Sequence, residues 1–128
     1  MDNKRKVIII DDEVDFCLLV KFYLSKKNCD VCISHTLQGG LGLIKNNIPD
    51  IVILDNNLPD GLGWLAANNI LEAAPGVHLF LISANKPTGK TGNNNDNSGN
   101  NNDNYYNKNK VDVVEKPISI SQIDTFLK

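Results

Sequence analysis

The chain lacks any apolar run approaching the roughly 20 residues that span a bilayer, and residues 1–6 carry no apolar signal-type stretch before the first strand-like run. A membrane-embedded or exported protein is not expected, and a cytoplasmic one is. An excess of positive charge is also missing: the formal net charge is −2, which leaves no basic field to hold a nucleic-acid backbone or an anionic lipid surface. No nucleic-acid or membrane partner is therefore expected. The first strand-like run leads into acids and not into a glycine-rich phosphate loop, and no G-x-G-x-x-G follows it, which argues against a nucleotide-binding enzyme.

Cysteine is scarce and odd in number. Cys17, Cys29 and Cys32 do not make a disulfide framework and are expected to be reduced thiols. Cys29-Asp30-Val31-Cys32 has the spacing of a redox or zinc pair, with His35 nearby as a third ligand. The segment has strand character, however, and residues three apart on a strand point to opposite faces. A structural role is the stronger reading.

What is present suits one compact domain spanning residues 1–128, with 41% hydrophobic content to form its core. Val7-Ile8-Ile9-Ile10, Ile51-Val52-Ile53-Leu54 and Leu79-Phe80-Leu81-Ile82 are short continuous apolar runs, as strands buried on both faces of a parallel sheet require. Val31 to Ser34 and Val111 to Val114 carry or adjoin charges and suit the sheet edges. Helical spacing recurs between them at Val14, Leu18 and Phe22, then at Leu37, Leu41, Ile44 and Ile48, then at Leu62, Leu65, Ala66 and Ile70. Ser119 and Gln122 have the spacing of a capping box, with Ile120, Ile123 and Leu127 on one face of a last helix running to the end of the chain. Alternating strands and helices predict a doubly wound α/β parallel sheet of order 2-1-3-4-5, with the three richest runs inside.

One stretch breaks this alternation. After Ile82-Ser83-Ala84 the chain becomes Asn85-Lys86-Pro87-Thr88-Gly89 and then an Asn/Gly/Asp tract to Lys110. Asn and Gly are poor helix formers, and so few apolar side chains cannot offset the entropy of ordering the tract. A flexible Asn-rich loop over about residues 85–110 is predicted where a fourth helix would lie.

In open α/β sheets ligands bind beyond the carboxyl ends of the strands, at the topological switch point. The polar residues at those ends are Asp11-Asp12-Glu13, Asp55, Ser83 and Lys116. Taken singly, acids at a helix start and a lone lysine are ordinary solvated surface. Taken together, they form a site. Carboxylates gathered from the first and third strands repel one another unless a hard divalent cation with oxygen ligands sits between them, and Mg²⁺ is the natural choice. A backbone carbonyl in the loop after Asp55 would complete the protein ligands, and Asn57 is the candidate. A carboxylate can also be a nucleophile toward phosphorus when fixed donors neutralise the phosphoryl oxygens, and Lys116 and Ser83 are placed to supply them.

Ile8-Ile9-Ile10-Asp11-Asp12-Glu13, Asp55-Asn56-Asn57-Leu58-Pro59 with Gly63, Ser83-Ala84, and Glu115-Lys116-Pro117 resemble the motifs of the receiver domain of two-component response regulators. The resemblance implies a flavodoxin-like fold with Asp55 as phosphoacceptor, Asp11 and Asp12 binding Mg²⁺ together with Asp55 and the Asn57 carbonyl, Ser83 contacting the phosphoryl group, and Lys116 pairing with it. It implies a cis bond before Pro117, a histidine kinase or histidine phosphotransfer protein as donor, a downstream protein target, and catalysis confined to the chain's own phosphorylation and dephosphorylation.

Two departures from the family pattern stand out. The position three before Lys116, an aromatic in most members, is Val113, and no fourth helix, part of the family's output face, is readable in the sequence. A phosphorylation-independent interaction module on the same fold is the alternative reading. The Asn-rich tract is either a tolerated insertion or a segment that phosphorylation orders through Ser83. A monomer is expected.

Overall fold

The computed structural model describes residues 4–84 and 111–127. Strand β1 (Arg5–Ile10) leads into helix α1 (Val14–Ser25), β2 (Cys29–Ser34), α2 (Leu37–Asn46) and β3 (Ile51–Asp55). A short hairpin, β4 (Asn57–Leu58) and β5 (Gly61–Leu62), precedes a 3-10 turn (Gly63–Ala66) and α3 (Ala67–Ala73). The chain then forms β6 (His78–Ser83) and, after residues 85–110, β7 (Val111–Glu115) and α4 (Ile120–Thr125). The predicted Asn-rich loop falls on residues 85–110, outside the described residues. All five long strands are parallel, in the order β2-β1-β3-β6-β7. This is the expected 2-1-3-4-5 arrangement, with the acid-bearing β1 and β3 side by side.

Alternation along the strands divides the core between the two faces of the sheet. Val7, Ile9, Ile51, Ile53, Phe80 and Ile82 pack against Cys17, Val20 and Leu24 of α1 and against Ile123 and Phe126 at α4. Ile8, Ile10, Val52, Leu54, Leu79 and Leu81 face Ile44 of α2 and Ala67 and Ile70 of α3. At Gly40 on α2 a Cβ would lie 2.3 Å from Ile10 Cδ1, so the missing side chain lets α2 approach β1 closely. The capping box is formed: Ser119 Oγ accepts from Gln122 N, and Gln122 Oε1 accepts from Ser119 N. Among the described residues no helix is long and apolar enough to cross a membrane.

Helix faces depart from the expected pattern. Val14, Leu18 and Phe22 are 51%, 56% and 62% exposed, and the core face of α1 is carried by Cys17, Val20 and Leu24. Apolar residues lie nearly all round this helix, so two stripes of helical period compete and spacing alone does not choose between them. Ile48, Leu62, Leu65 and Ile120 are likewise exposed. Ile48 lies beyond the end of α2, and Leu62 and Leu65 precede α3, where the irregular hairpin and 3-10 turn break the helical phase. Helix α4 ends at Thr125, before the end of the chain.

The hairpin is tied to α2 by charge. Asp60 accepts hydrogen bonds from Leu37 N at 2.7 Å and Gln38 N at 2.9 Å, while the Thr36 hydroxyl accepts from Gly39 N at 3.1 Å. These backbone donors hold the Asp60 carboxyl below its usual value of 3.8. A depressed carboxylate stabilises the fold above its unfolded pKa and loses that contribution as pH falls through the folded one. Asp60→Ala is therefore expected to lower the urea midpoint at neutral pH, with the gap to wild type closing as the pH drops below 3.8. Ile53→Ala, in the fully buried centre of β3, should cost about 2–5 kcal/mol in the same assay. At Leu65, 79% exposed, the change to Ala should cost under roughly 0.5 kcal/mol.

Candidate functional site

The carboxyl ends of β1, β3, β6 and β7 bring the acids, the serine and the lysine to one edge. Asp11 follows β1, Asp55 ends β3, Ser83 ends β6 and Lys116 follows β7. Ladder pairing continues past the strands: Asp11 N donates to Ser34 O at 3.0 Å, Asn56 N to Ile82 O at 2.9 Å and Lys116 N to Ser83 O at 2.9 Å. Asp11, Asp55 and Ser83 are buried polar residues in an otherwise apolar core. The Lys116–Pro117 bond is cis.

Lys116 stands at the centre of the charges. Its Nζ lies 2.9 Å from Glu13 Oε1, 3.0 Å from Asp11 Oδ2 and 3.4 Å from Asp55 Oδ1. The hydrogen bond of good direction goes to Glu13. Asp11 Oδ2 is buried and receives none, facing the ammonium across an ionic contact. Burial works against the charge on Lys116, but the hydrogen bond to Glu13, the close ionic contact with Asp11 and the charges of Asp11 and Asp55 outweigh it and hold its pKa above the usual value.

The acids are in the opposite position. Burial pushes the Asp11 carboxyl up, against the opposing Glu13 N–H and Lys116. Asp55 is raised by burial and then by the charge of Asp11, although Asn57 N donates to its Oδ2 at 3.1 Å. One ammonium cannot neutralise all the carboxylates around it.

The residues fit a divalent cation. One carboxylate oxygen from each of Asp11, Asp12 and Asp55 lies within 4.8 Å of the others, the only such acidic, histidine or cysteine group among the described residues. Asp11 Oδ2, buried without a directed donor, is an acceptor suited to a hard cation. Cys29 and Cys32 take no part: β2 is a strand there, as its character suggested, and both thiols are free.

The loop after Asp55 is held by backbone and by a missing side chain. Asn56 O accepts from Gly63 N at 2.7 Å, and Asn56 Oδ1 accepts from Trp64 N at 3.0 Å. A Cβ on Gly63 would sit 2.2 Å from the Asp55 carbonyl oxygen, so only glycine permits this closure.

Glu13, named with the acidic run but given no partner there, and three residues to which sequence reasoning gave no role complete the setting. Glu13 binds Lys116, and Asn56 closes the loop. The Asp11 carbonyl accepts from Cys17 Sγ at 3.2 Å and from His35 Nδ1 at 2.9 Å. Burial, reinforced by the Asp11 charge, pushes the Cys17 thiol up to about 12, which makes it an inert donor. The available signal for His35 was its place just beyond β2, at the same edge of the sheet as the ends of the central strands.

The family model for the response regulator receiver domain matches residues 7–128. Among solved structures, a CheY-like response regulator receiver domain protein from Methanospirillum hungatei JF-1 has a TM-score of 0.77 at 18% identity, over 98% of this chain and 91% of that one. A two-component response regulator from Clostridium difficile has a TM-score of 0.74 at 23% identity, over 98% and 93%. A response regulator protein from Burkholderia pseudomallei, solved with a phosphorylated aspartic acid, calcium ion and citrate, has a TM-score of 0.77 at 15% identity, over 98% and 67%. At these identities the likeness of structure speaks for the fold.

Burial of an ionised Asp55 is a cost to the fold. A raised carboxyl pKa means that the native state holds its proton more tightly than the unfolded chain, so stability falls as pH rises through the window above 3.8. Asp55→Asn never ionises and should melt at a higher temperature than wild type at neutral pH in the presence of a chelator. Equal or lower melting would contradict the electrostatic account.

Proposed function

The chain belongs to the response regulator receiver domain family, and from that premise we propose that it is a phosphoacceptor switch of a two-component phosphorelay, modified on Asp55. The observation that carries the reading is the setting of Asp55, a buried carboxylate with an oxygen within 4.8 Å of carboxylate oxygens of Asp11 and Asp12 and 3.4 Å from the Lys116 ammonium.

In this reading a histidine kinase or histidine phosphotransfer protein presents a phosphohistidine. An Asp55 carboxylate oxygen forms the new O–P bond as the P–N bond breaks, and the electron pair of that bond returns to the donor imidazole. Mg²⁺, held by Asp11, Asp12, Asp55 and the Asn57 carbonyl with waters in the remaining positions, would supply positive charge against the phosphoryl oxygens. Lys116 pairs with the phosphoryl group, and the Ser83 hydroxyl donates a hydrogen bond to it. Burial of Asp55 limits access of water to the acyl phosphate. The receiver domain is catalytic only on itself, works in the cytoplasm as a monomer, and passes the signal to a downstream protein target.

Incubation with a small-molecule phosphodonor, followed by intact mass measurement, tests this directly. Wild type should gain one phosphoryl group in the presence of Mg²⁺ and none with chelator, and Asp55→Asn should gain none under either condition. Absence of the adduct in wild type would overturn the phosphoacceptor reading in favour of a phosphorylation-independent interaction module.

A further inference from the structure

We propose that His35 is a positioning residue that sets the relative placement of the Asp11 and Asp12 carboxylates for the divalent cation; the inference rests on the metal reading given above. Strand β2 lies at the edge of the sheet and gives no side chain to the acidic group itself. Its carboxyl end nevertheless grips the backbone of Asp11 from two sides. Ser34 O accepts from Asp11 N at 3.0 Å, and the next residue, His35, reaches back with Nδ1 to Asp11 O at 2.9 Å. A carbonyl oxygen can only accept, so the proton of this hydrogen bond is on Nδ1.

The consequence follows from peptide geometry. Asp11 O and Asp12 N belong to one rigid plane, so fixing the carbonyl fixes the direction in which the chain leaves Asp11 and the point from which the Asp12 side chain starts. Asp12 is exposed, so burial does not hold it in place. The second donor to the same carbonyl, the Cys17 thiol at 3.2 Å, is intrinsically weak. His35 is the stronger of the two restraints on the Asp11–Asp12 peptide.

A merely structural histidine would affect folding and leave cation affinity alone, and the two roles separate experimentally. Mg²⁺ binding is measured by isothermal titration calorimetry, without phosphodonor, on wild type, His35→Ala and His35→Asn, alongside melting of each metal-free protein. The carboxamide of Asn places an N–H close to where Nδ1–H stood. His35→Ala should raise the Mg²⁺ dissociation constant by about 10-fold or more, the usual effect of losing a group that orients metal ligands. His35→Asn should restore most of that affinity. Equal affinity in wild type and His35→Ala overturns the inference and leaves the metal reading intact. An equal loss in His35→Ala and His35→Asn overturns it as well, because the hydrogen bond would then not be the cause. No Mg²⁺ binding by wild type overturns the metal reading and this inference together.

Discussion

Four carboxylates and a single ammonium meet at the carboxyl edge of the sheet, and the surrounding architecture is organised around that imbalance. Asp11 and Asp55 are buried at the ends of β1 and β3 and are raised by that burial, while Lys116 is shared among Glu13, Asp11 and Asp55. In water such a cluster would disperse. It is held together here because each acid sits at or just beyond the end of a strand whose preceding residues are locked in the core, so backbone pairing overrides side-chain repulsion. The remaining negative charge is what suits the edge to a cation.

Holding the cluster requires rigid surroundings as well as rigid strands. Asn56 closes the loop after Asp55 with its backbone and its amide, and Gly63 lets the 3-10 turn pass against the Asp55 carbonyl. Asp60 ties the same loop to the start of α2, and α2 is held to β1 through the bare face of Gly40. His35 and Ser34 steady Asp11 from the other side. The site is thus braced by neighbours that are mostly distant from it in sequence.

Legibility of the sequence differed between these levels. The three central strands were readable because continuous apolar runs of strand length have few alternatives, and the edge strands because their charges suit partial exposure. The start of α4 was readable because a capping box is a local contact between residues three apart. The buried face of α1 was not. Its apolar residues surround the helix, and which stripe is covered depends on what the sheet and α4 present to it. The exposure of Leu62 and Leu65 was hidden for a related reason: a hairpin and a 3-10 turn occupy the segment that regular spacing assigns to one helix.

The sequence by itself determined the order of elements, the sheet arrangement and the set Asp11, Asp12, Asp55, Ser83 and Lys116, because strand ends in a parallel sheet converge on one edge whatever the details of packing. Only the tertiary structure decided how the charges are shared. That Lys116 turns first to Glu13, that Cys17 and His35 meet on one carbonyl, and that Asp60 caps a helix 23 residues earlier are contacts between segments far apart in the chain. Such contacts depend on distances of a few ångströms and on side-chain direction, and neither is encoded in local spacing.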